Sequence, residues 1–347
     1  TRHRVGSPDL RLSSPFRHES SSVGLVRHDG SMPSLDNIAE AGRVVDPVFL
    51  HTPQFVDDTL SSRLGRDLVL KVETLNPIRS FKGRGADYYM RQLAPGQHVV
   101  CASAGNFGQA VGYAGRSRDI AVTVYAARQA NPIKVERMRA LGAEVILEGD
   151  DFDVAKAAAR RHAEQRPECV FVEDGQDVAI AEGAGTIGVE LAPLGLDALI
   201  VPVGNGALIS GIGRWMKAHS PRTRIIGVCA EAAPAMEISW RTGQPVATDD
   251  AATVADGIAV RVPVPIAVEW MREVVDDVVL VSEKCISATV WTIRDTLGLI
   301  VEPAGAVGVA AALDHRFDAP VQGTILTGSN IGPDLFRELA PERPRSQ

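Results

Sequence analysis

Short apolar runs alternate with helix-like segments along most of this chain, and that alternation limits the fold more than any other feature. The runs His98–Ser103, Ala198–Val203 and Gln322–Thr327 have the length of buried strands. Alanine-rich or amphipathic segments such as Phe152–Glu164 separate them. Strands that alternate with helices form parallel sheets covered by helices. The sequence therefore predicts an α/β protein whose sheets are mostly parallel.

The alternation falls into two series that meet near Asp174, and a chain of 347 residues is long enough for two hydrophobic cores. We predict two three-layer α/β/α domains. The large domain is expected to comprise residues 32–84 and 175–341, with the small domain, residues 85–174, inserted into it. Residues 1–31 are rich in Ser, Arg and His. They resemble a tag-derived linker or a native N-terminal extension, with Met32 a candidate natural start.

Composition excludes several classes of function. A formal net charge of -7 argues against nucleic acid as a main partner. No apolar run has the length of a membrane span, so no membrane association is predicted. The four cysteines are scattered and form no metal-binding pair, which indicates reduced thiols and a cytoplasmic protein.

Lys82 is the first candidate for chemistry. It lies between Phe81 and Gly83, shortly after the predicted strand Leu68–Val72. A lysine at such a strand-to-helix corner can be buried beside the aromatic ring and lose its proton, and a neutral amine is what Schiff-base chemistry requires. An isolated lysine of this kind is usually an ordinary surface residue. The remaining motifs favour the chemical interpretation.

Four more motifs stand at the predicted ends of strands, where open α/β sheets bind ligands. The turn Ser103–Gln109 could hold a carboxylate on its N–H groups, and the glycine loop Gly204–Leu208 is suited to phosphate. The four stretches are Ser103–Gln109, Gly204–Leu208, Val301–Ala306 and Leu326–Asn330.

Together and in this order, the motifs resemble those of the fold-type II pyridoxal-phosphate (PLP) enzymes, whose fold is that of the tryptophan synthase β subunit. Within that group the stretches Thr253–Gly257 and Glu302–Ala306 resemble the threonine/serine dehydratases. The resemblance covers about residues 34–341. It implies PLP as cofactor and α,β-elimination of water from L-threonine or L-serine, which ends in a 2-oxo acid and ammonia.

The resemblance also implies roles for individual residues. Lys82 would form the Schiff base and take the Cα proton, Phe81 would pack on the cofactor ring, Asn106 would bond the phenolic oxygen, and Thr327 would face the pyridine nitrogen. The phosphate cradle would be Gly204, Asn205, Gly206, Ala207 and Leu208, with Gly257 and Glu302 completing the cofactor site. The substrate carboxylate would bind at Ser103, Ala104, Gly105 and Asn106. By family analogy, the cofactor phosphate would protonate the leaving hydroxyl.

Some features depart from the family pattern or extend it. Asn205 and Ala207 stand where the phosphate loop usually has glycine, although Asn tolerates a positive φ. Ala104 replaces a serine of the related racemases, which argues for dehydration without efficient racemisation. A homodimer is expected from the family. The short stretch after the last strand predicts that no amino-acid-sensing regulatory domain follows.

A cation site is a further expectation from the resemblance. Glu231, Ala235 and Glu237 resemble the ligands that hold a monovalent or divalent cation in some relatives. An acidic residue at the end of a strand is more often simply solvated.

Other interpretations stay open. The substrate could be another β-substituted amino acid, such as hydroxyaspartate, phenylserine or an activated serine, and the reaction could be β-replacement or serine racemisation. The segment from Ala198 to Glu231 imitates a dinucleotide-binding unit, but Ile209 stands where its third glycine is required. A PLP-binding protein without catalytic activity is the non-enzymatic alternative.

Overall fold

The computed structural model describes residues 31–340. The interpretation of residues 1–31 as a linker or extension falls, apart from Ser31, outside the described residues.

The larger of two sheets has six strands. They are β1 (Gln54–Val56), β2 (Asp67–Val72), β7 (Ala198–Pro202), β8 (Arg224–Ala230), β9 (Asp277–Val281) and β10 (Val321–Leu326). Their order across the sheet is β1-β2-β10-β7-β8-β9. Only the β1–β2 pair is antiparallel. The last strand of the described chain therefore lies in the middle of this sheet.

The smaller sheet has four parallel strands. They are β3 (His98–Ala102), β4 (Val122–Ala126), β5 (Glu144–Leu147) and β6 (Cys169–Phe171), in the order β5-β4-β3-β6. The predicted α/β class is confirmed. The strands of this sheet all come from residues 85–174, and those of the larger sheet come from the two flanking segments. The exact domain boundaries stay a prediction.

Thirteen α-helices connect and cover the strands within residues 31–340. They are α1 (Leu35–Val44), α2 (Asp58–Leu64), α3 (Lys82–Met90), α4 (Asn106–Arg116), α5 (Pro132–Ala140), α6 (Phe152–Glu164), α7 (Val178–Leu191), α8 (Ala207–His219), α9 (Ala235–Thr242), α10 (Pro265–Val274), α11 (Glu283–Leu297), α12 (Pro303–Asp314) and α13 (Pro333–Glu338). None of them combines the length and the apolar composition needed to cross a membrane. All four cysteines are free thiols.

Helix α3 begins at Lys82 itself. Its two glycines serve close packing and do not form a turn. A Cβ atom on Gly83 would lie 2.3 Å from the Phe49 ring, and one on Gly85 would lie 2.5 Å from the carbonyl oxygen of Ile180. The packing of both glycines therefore allows Lys82 to occupy the first turn of the helix.

A buried charge cluster fixes α3 on strand β2. The guanidinium of Arg84 donates to both carboxylate oxygens of Glu73, at 2.8 and 2.9 Å, and to Glu190 at 2.6 Å. Lys71 pairs with Glu190 at 2.5 Å and donates to the carbonyl oxygen of Thr52 at 2.7 Å. Two cations and two carboxylates thus compensate one another in a largely buried cluster, and Arg84 lies two residues from Lys82.

Candidate active site

The carboxyl ends of several strands from both sheets face one cavity of about 430 Å³. Every residue predicted to bind the cofactor or the substrate carboxylate lines this cavity. These residues are Phe81, Lys82, Ser103, Ala104, Gly105, Asn106, Gly204, Asn205, Gly206, Ala207, Leu208, Gly257, Glu302 and Thr327. Parallel α/β sheets bind ligands at this edge, so the topology brings together motifs that are far apart in sequence.

Lys82 lines the cavity at the start of α3. Its Nζ atom lies 2.5 Å from Oδ2 of Asp174 and 4.7 Å from the centroid of the Phe81 ring. The N–H of Phe81 donates to the carbonyl oxygen of Thr327 at 3.1 Å, which ties the start of α3 to the end of β10. The lysine amine is therefore held at a defined place between the two sheets.

The glycine loop has the form of an anion cradle. Gly206 adopts the left-handed conformation, with φ of 91°, and α8 starts at Ala207. The first N–H groups of a helix have no partner within the helix and favour an anion such as phosphate. Asn205 does not have a positive φ, so the tolerance of asparagine for that conformation is not used here. The backbone at Asn205 therefore does not require glycine.

The turn after β3 is shaped by Ser103. Its buried hydroxyl oxygen accepts hydrogen bonds from the N–H groups of Gly105 at 3.1 Å and Gly108 at 2.9 Å. The N–H of Gly105, which was predicted to bind the substrate carboxylate, therefore donates inside the turn. Ala104 is exposed at the cavity. Carboxylate binding at this turn stays a prediction.

Glu302 joins three elements in one buried network. Its Oε1 accepts from the Asn106 side-chain amide at 2.6 Å, and its Oε2 accepts from the N–H of Asn330 at 3.1 Å. The Asn330 amide donates in turn to Oδ1 of Asn106 at 2.7 Å. A Cβ on Gly328 would lie 2.2 Å from Oε1 of Glu302, so any larger residue there would displace this carboxylate. The network fixes the orientation of Asn106.

The environment of Glu302 changes its acidity. Burial raises the pKa of its carboxyl to about 7, and repulsion from Asp256 adds to this effect. Lys134 and the hydrogen bonds from Asn106 and Asn330 act in the opposite direction. The neutral acid is thus accessible near neutral pH, which is unusual for a glutamate.

Glu302→Gln is expected to change how stability depends on pH. Because the pKa in the folded state lies above the ordinary value of 4.5, this group's contribution to stability is complete below about pH 4.5 and is lost as pH rises through about 7. The free energy of unfolding of the unaltered protein, relative to the variant, should fall by about 3 kcal/mol across that window. Urea unfolding of cofactor-free protein at pH 5 and pH 8 measures this. An identical pH dependence in both proteins would contradict the assignment.

Thr327 supplies a hydroxyl to the cavity directly after β10. It is 5% exposed, and its Oγ1 donates to the carbonyl oxygen of Ala304 at 3.3 Å. A lysine amine, a phosphate-type cradle, an amide beside Glu302 and this hydroxyl form the set of groups that PLP requires. The residues present therefore fit that cofactor.

The predicted cation ligands lie away from the cavity. The carboxylate of Glu237 pairs with Arg241 at 2.6 Å, and the carbonyl oxygen of Ala235 accepts from Ser239 at 2.6 Å. Glu231 is exposed just after β8. Among residues 31–340, no three or more His, Cys, Asp or Glu side chains form a group that could hold a metal ion. The cation stays a prediction.

Two polar residues at the site carried no predicted role. Asn330 was visible within the last motif, and its contact with Asn106 spans 224 residues. Asp174 follows β6 in a polar turn, which is the position that marks ligand-binding residues in parallel sheets. That position was the signal available in the sequence.

The fold and this arrangement of groups define the class of PLP enzymes in which the lysine begins a helix and a glycine loop receives the phosphate. The sequence model of the family described as "Pyridoxal-phosphate dependent enzyme" matches residues 46–328. The chain belongs to this family, and PLP is its cofactor. The dinucleotide interpretation of the Gly204 loop and the non-enzymatic alternative are thereby set aside.

Similar sequences carry consistent names. The chain is 36% identical over 315 residues to the L-threonine ammonia-lyase of Thermotoga maritima, which covers 89% of this chain and 78% of the relative. It is 38% identical over 280 residues to the L-threonine ammonia-lyase of Geobacter sulfurreducens, which covers 78% of this chain and 69% of the relative. The chain is thus a PLP-dependent lyase.

Solved structures agree with the fold. Threonine deaminase isoform 2 from Solanum lycopersicum, in its processed form, superposes with a TM-score of 0.81 at 30% identity, over 88% of this chain and 93% of that one. Maize serine racemase superposes with a TM-score of 0.83 at 26% identity, over 89% of this chain and 97% of that one. The predicted fold-type II architecture is confirmed.

Proposed function

We propose that this enzyme removes water from L-threonine or L-serine by α,β-elimination and releases a 2-oxo acid and ammonia. The observation that carries the proposal is the convergence of Lys82, the Ser103–Asn106 turn and the Gly204 loop on one cavity. The relatives named L-threonine ammonia-lyase support the choice of substrate.

PLP, when bound, links covalently to a lysine amine and then to the amine of the substrate, and it takes up negative charge that develops at Cα. Lys82 would hold the cofactor in this way and the N–H groups at the start of α8 would bind its phosphate. Asn106, oriented by Glu302 and Asn330, would donate to the ring oxygen. Thr327 would lie at the ring nitrogen.

Lys82 would act as the base. Its amine, once displaced by the substrate, can take the proton from Cα, provided that the substrate is held with that bond facing it. The turn at Ser103 is suited to hold the substrate carboxylate for this purpose. The released enamine would then hydrolyse in water to the 2-oxo acid.

Charge pairing around the cavity favours an uncharged β-substituent. Within residues 31–340, each lysine or arginine that lines the cavity already has a carboxylate partner. The pairs are Lys82–Asp174, Lys134–Asp256, Lys156–Glu173 and Arg261–Asp153. A second substrate carboxylate, as in hydroxyaspartate, would find no unpaired cation there. This supports a substrate with an uncharged side chain, such as threonine or serine.

A substrate panel tests the proposal. Holoenzyme at saturating PLP is offered L- and D-threonine, L- and D-serine, phenylserine and hydroxyaspartate, and both 2-oxo acid and ammonia are measured. We expect L-threonine or L-serine to give the highest kcat/KM. Because Ala104 offers no hydroxyl on the turn, little D-serine should form from L-serine. Absence of 2-oxo acid from both L-substrates would overturn the proposal and leave the other β-substituted substrates standing.

We also propose a homodimer in the cytoplasm, with the domain boundaries given above. Closed two-fold dimers are the commonest soluble assembly. Edge strand β1 exposes Phe55 and Val56, each about two-fifths accessible, at 40% and 42%, which provides apolar surface for a contact. A monomer mass by light scattering at working concentration would contradict the dimer.

A further inference from the structure

Asp174 lies on a rigid turn between β6 and α7. The N–H of Glu173 donates to Oδ2 of Asp177 at 2.7 Å, which closes the turn around Asp174. A Cβ on Gly175 would lie 2.3 Å from the carbonyl oxygen of Asn205, so this turn sits directly on the glycine loop. The position of the Asp174 carboxylate is therefore fixed relative to both domains.

The two oxygens of the Asp174 carboxylate have different surroundings. Oδ2 accepts from Nζ of Lys82 at 2.5 Å, and both side chains are largely buried, with 12% and 15% exposed. Oδ1 is buried and has no hydrogen-bond partner within residues 31–340. Oδ2 is therefore the oxygen of this carboxylate that can exchange a proton with the Lys82 amine.

The other carboxylates that line the cavity are already engaged. Glu173, Asp153 and Asp256 pair with cations of the wall, Asp151 caps helix α6, and Glu302 binds two asparagine groups. Asp174 is the cavity carboxylate that contacts Lys82. It is therefore the group placed to exchange a proton with the catalytic base.

Elimination of water needs proton transfer at two atoms. The Cα–H bond must be broken, and the departing oxygen must gain a proton because hydroxide is a poor leaving group. We propose that Asp174 carries the proton from Lys82 to the leaving β-hydroxyl of the substrate. This inference rests on the proposed dehydration, and it assigns to a side chain the proton transfer that family analogy gives to the cofactor phosphate.

The transfer balances in atoms and electrons. Lys82 takes the Cα proton, and the electron pair of that bond becomes the Cα=Cβ bond while the Cβ–O pair leaves with oxygen. The Lys82 ammonium gives its proton to Oδ2 of Asp174, which donates it to the departing oxygen and forms water. Both side chains end in their starting protonation states.

A change of leaving group separates this role from others. L-Serine and β-chloro-L-alanine both give pyruvate and ammonia, but chloride leaves without a proton. With holoenzyme, Asp174→Asn should lower kcat for L-serine by about 100-fold or more, the usual range for loss of a general acid. The initial rate with β-chloro-L-alanine should stay within about threefold, because the chloride step needs no acid. Asp174→Glu, which keeps an acid, should retain more serine activity than Asp174→Asn.

The controls keep the outcomes distinct. Asp150→Asn removes an equal charge from an exposed pair with Arg128, where the carboxylate is 88% exposed, and should leave both rates unchanged. Visible absorbance checks that each variant takes up PLP. Equal loss with both substrates in Asp174→Asn, or no loss with serine, would overturn the relay. An unaltered enzyme that dehydrates neither serine nor threonine would overturn the proposed function itself, together with this inference.

Discussion

Lys82→Ala is expected to abolish turnover, with a fall in kcat of at least about 10⁴-fold, because it removes both the covalent attachment point and the base. The variant should still bind PLP, since the N–H groups at the start of α8 do not depend on the lysine. Steady-state kinetics measures the loss, and cofactor absorbance after gel filtration measures retention. Retained turnover above about 1% of the unaltered enzyme would contradict the assignment of Lys82.

Borohydride reduction locates the covalent link independently of activity. The unaltered enzyme should keep reduced cofactor on the peptide that contains Lys82, and the Lys82→Ala variant should keep none. Lys284→Ala is a matched control, because Lys284 is an exposed lysine on α11. Label on any other lysine in the unaltered enzyme would refute the site.

Glu73→Gln is expected to cause the largest loss of stability, about 3–5 kcal/mol, because it leaves the buried guanidinium of Arg84 without one of its two carboxylates. Both residues are completely buried, at 0% side-chain exposure, so water cannot replace the lost charge. The start of α3 should lose its anchor on β2, and kcat should fall with stability. Urea unfolding followed by circular dichroism gives the free energy of unfolding.

An exposed pair provides the comparison. Glu136→Gln removes the partner of Arg139 on the surface of α5, where the side chains are 71% and 45% exposed. Exposed pairs of this kind contribute about 0–1 kcal/mol. A loss in Glu73→Gln no larger than in Glu136→Gln would show that the buried cluster does not stabilise the fold.

The fold class was predictable because buried parallel strands carry their own signal. Apolar runs such as Ala198–Pro202 are continuous, and helices such as Phe152–Glu164 have clear starts and ends. Elements without such a signal are harder to place from the sequence. Strand β1 is short and exposed along its length, and the glycines of α3 disfavour a helix locally. The packing of these glycines against Phe49 and Ile180 decides whether the segment is helical, and that packing is set by distant parts of the chain.

The site was predictable where each residue belongs to a local motif. Lys82, Asn106 and the Gly204 loop are recognisable from their neighbours in sequence. The Lys82–Asp174 contact is not, because it joins residues 92 positions apart and depends on how the two sheets are placed. The same holds for the pairing of Asn330 with Asn106. Motifs thus identify the groups, and topology decides which of them touch.

The central place of β10 has a consequence for synthesis on the ribosome. Strand β10 pairs with β2 on one side and β7 on the other, yet about 250 residues separate it from β2. Until β10 emerges, β2 and β7 each lack a neighbour and expose unpaired backbone groups. The larger sheet therefore stays incomplete during synthesis, with unpaired edges that can pair with strands of other chains. Strands β3 to β6 can already form the smaller sheet. Chaperone demand during translation should thus fall on the outer segments of this chain more than on its middle.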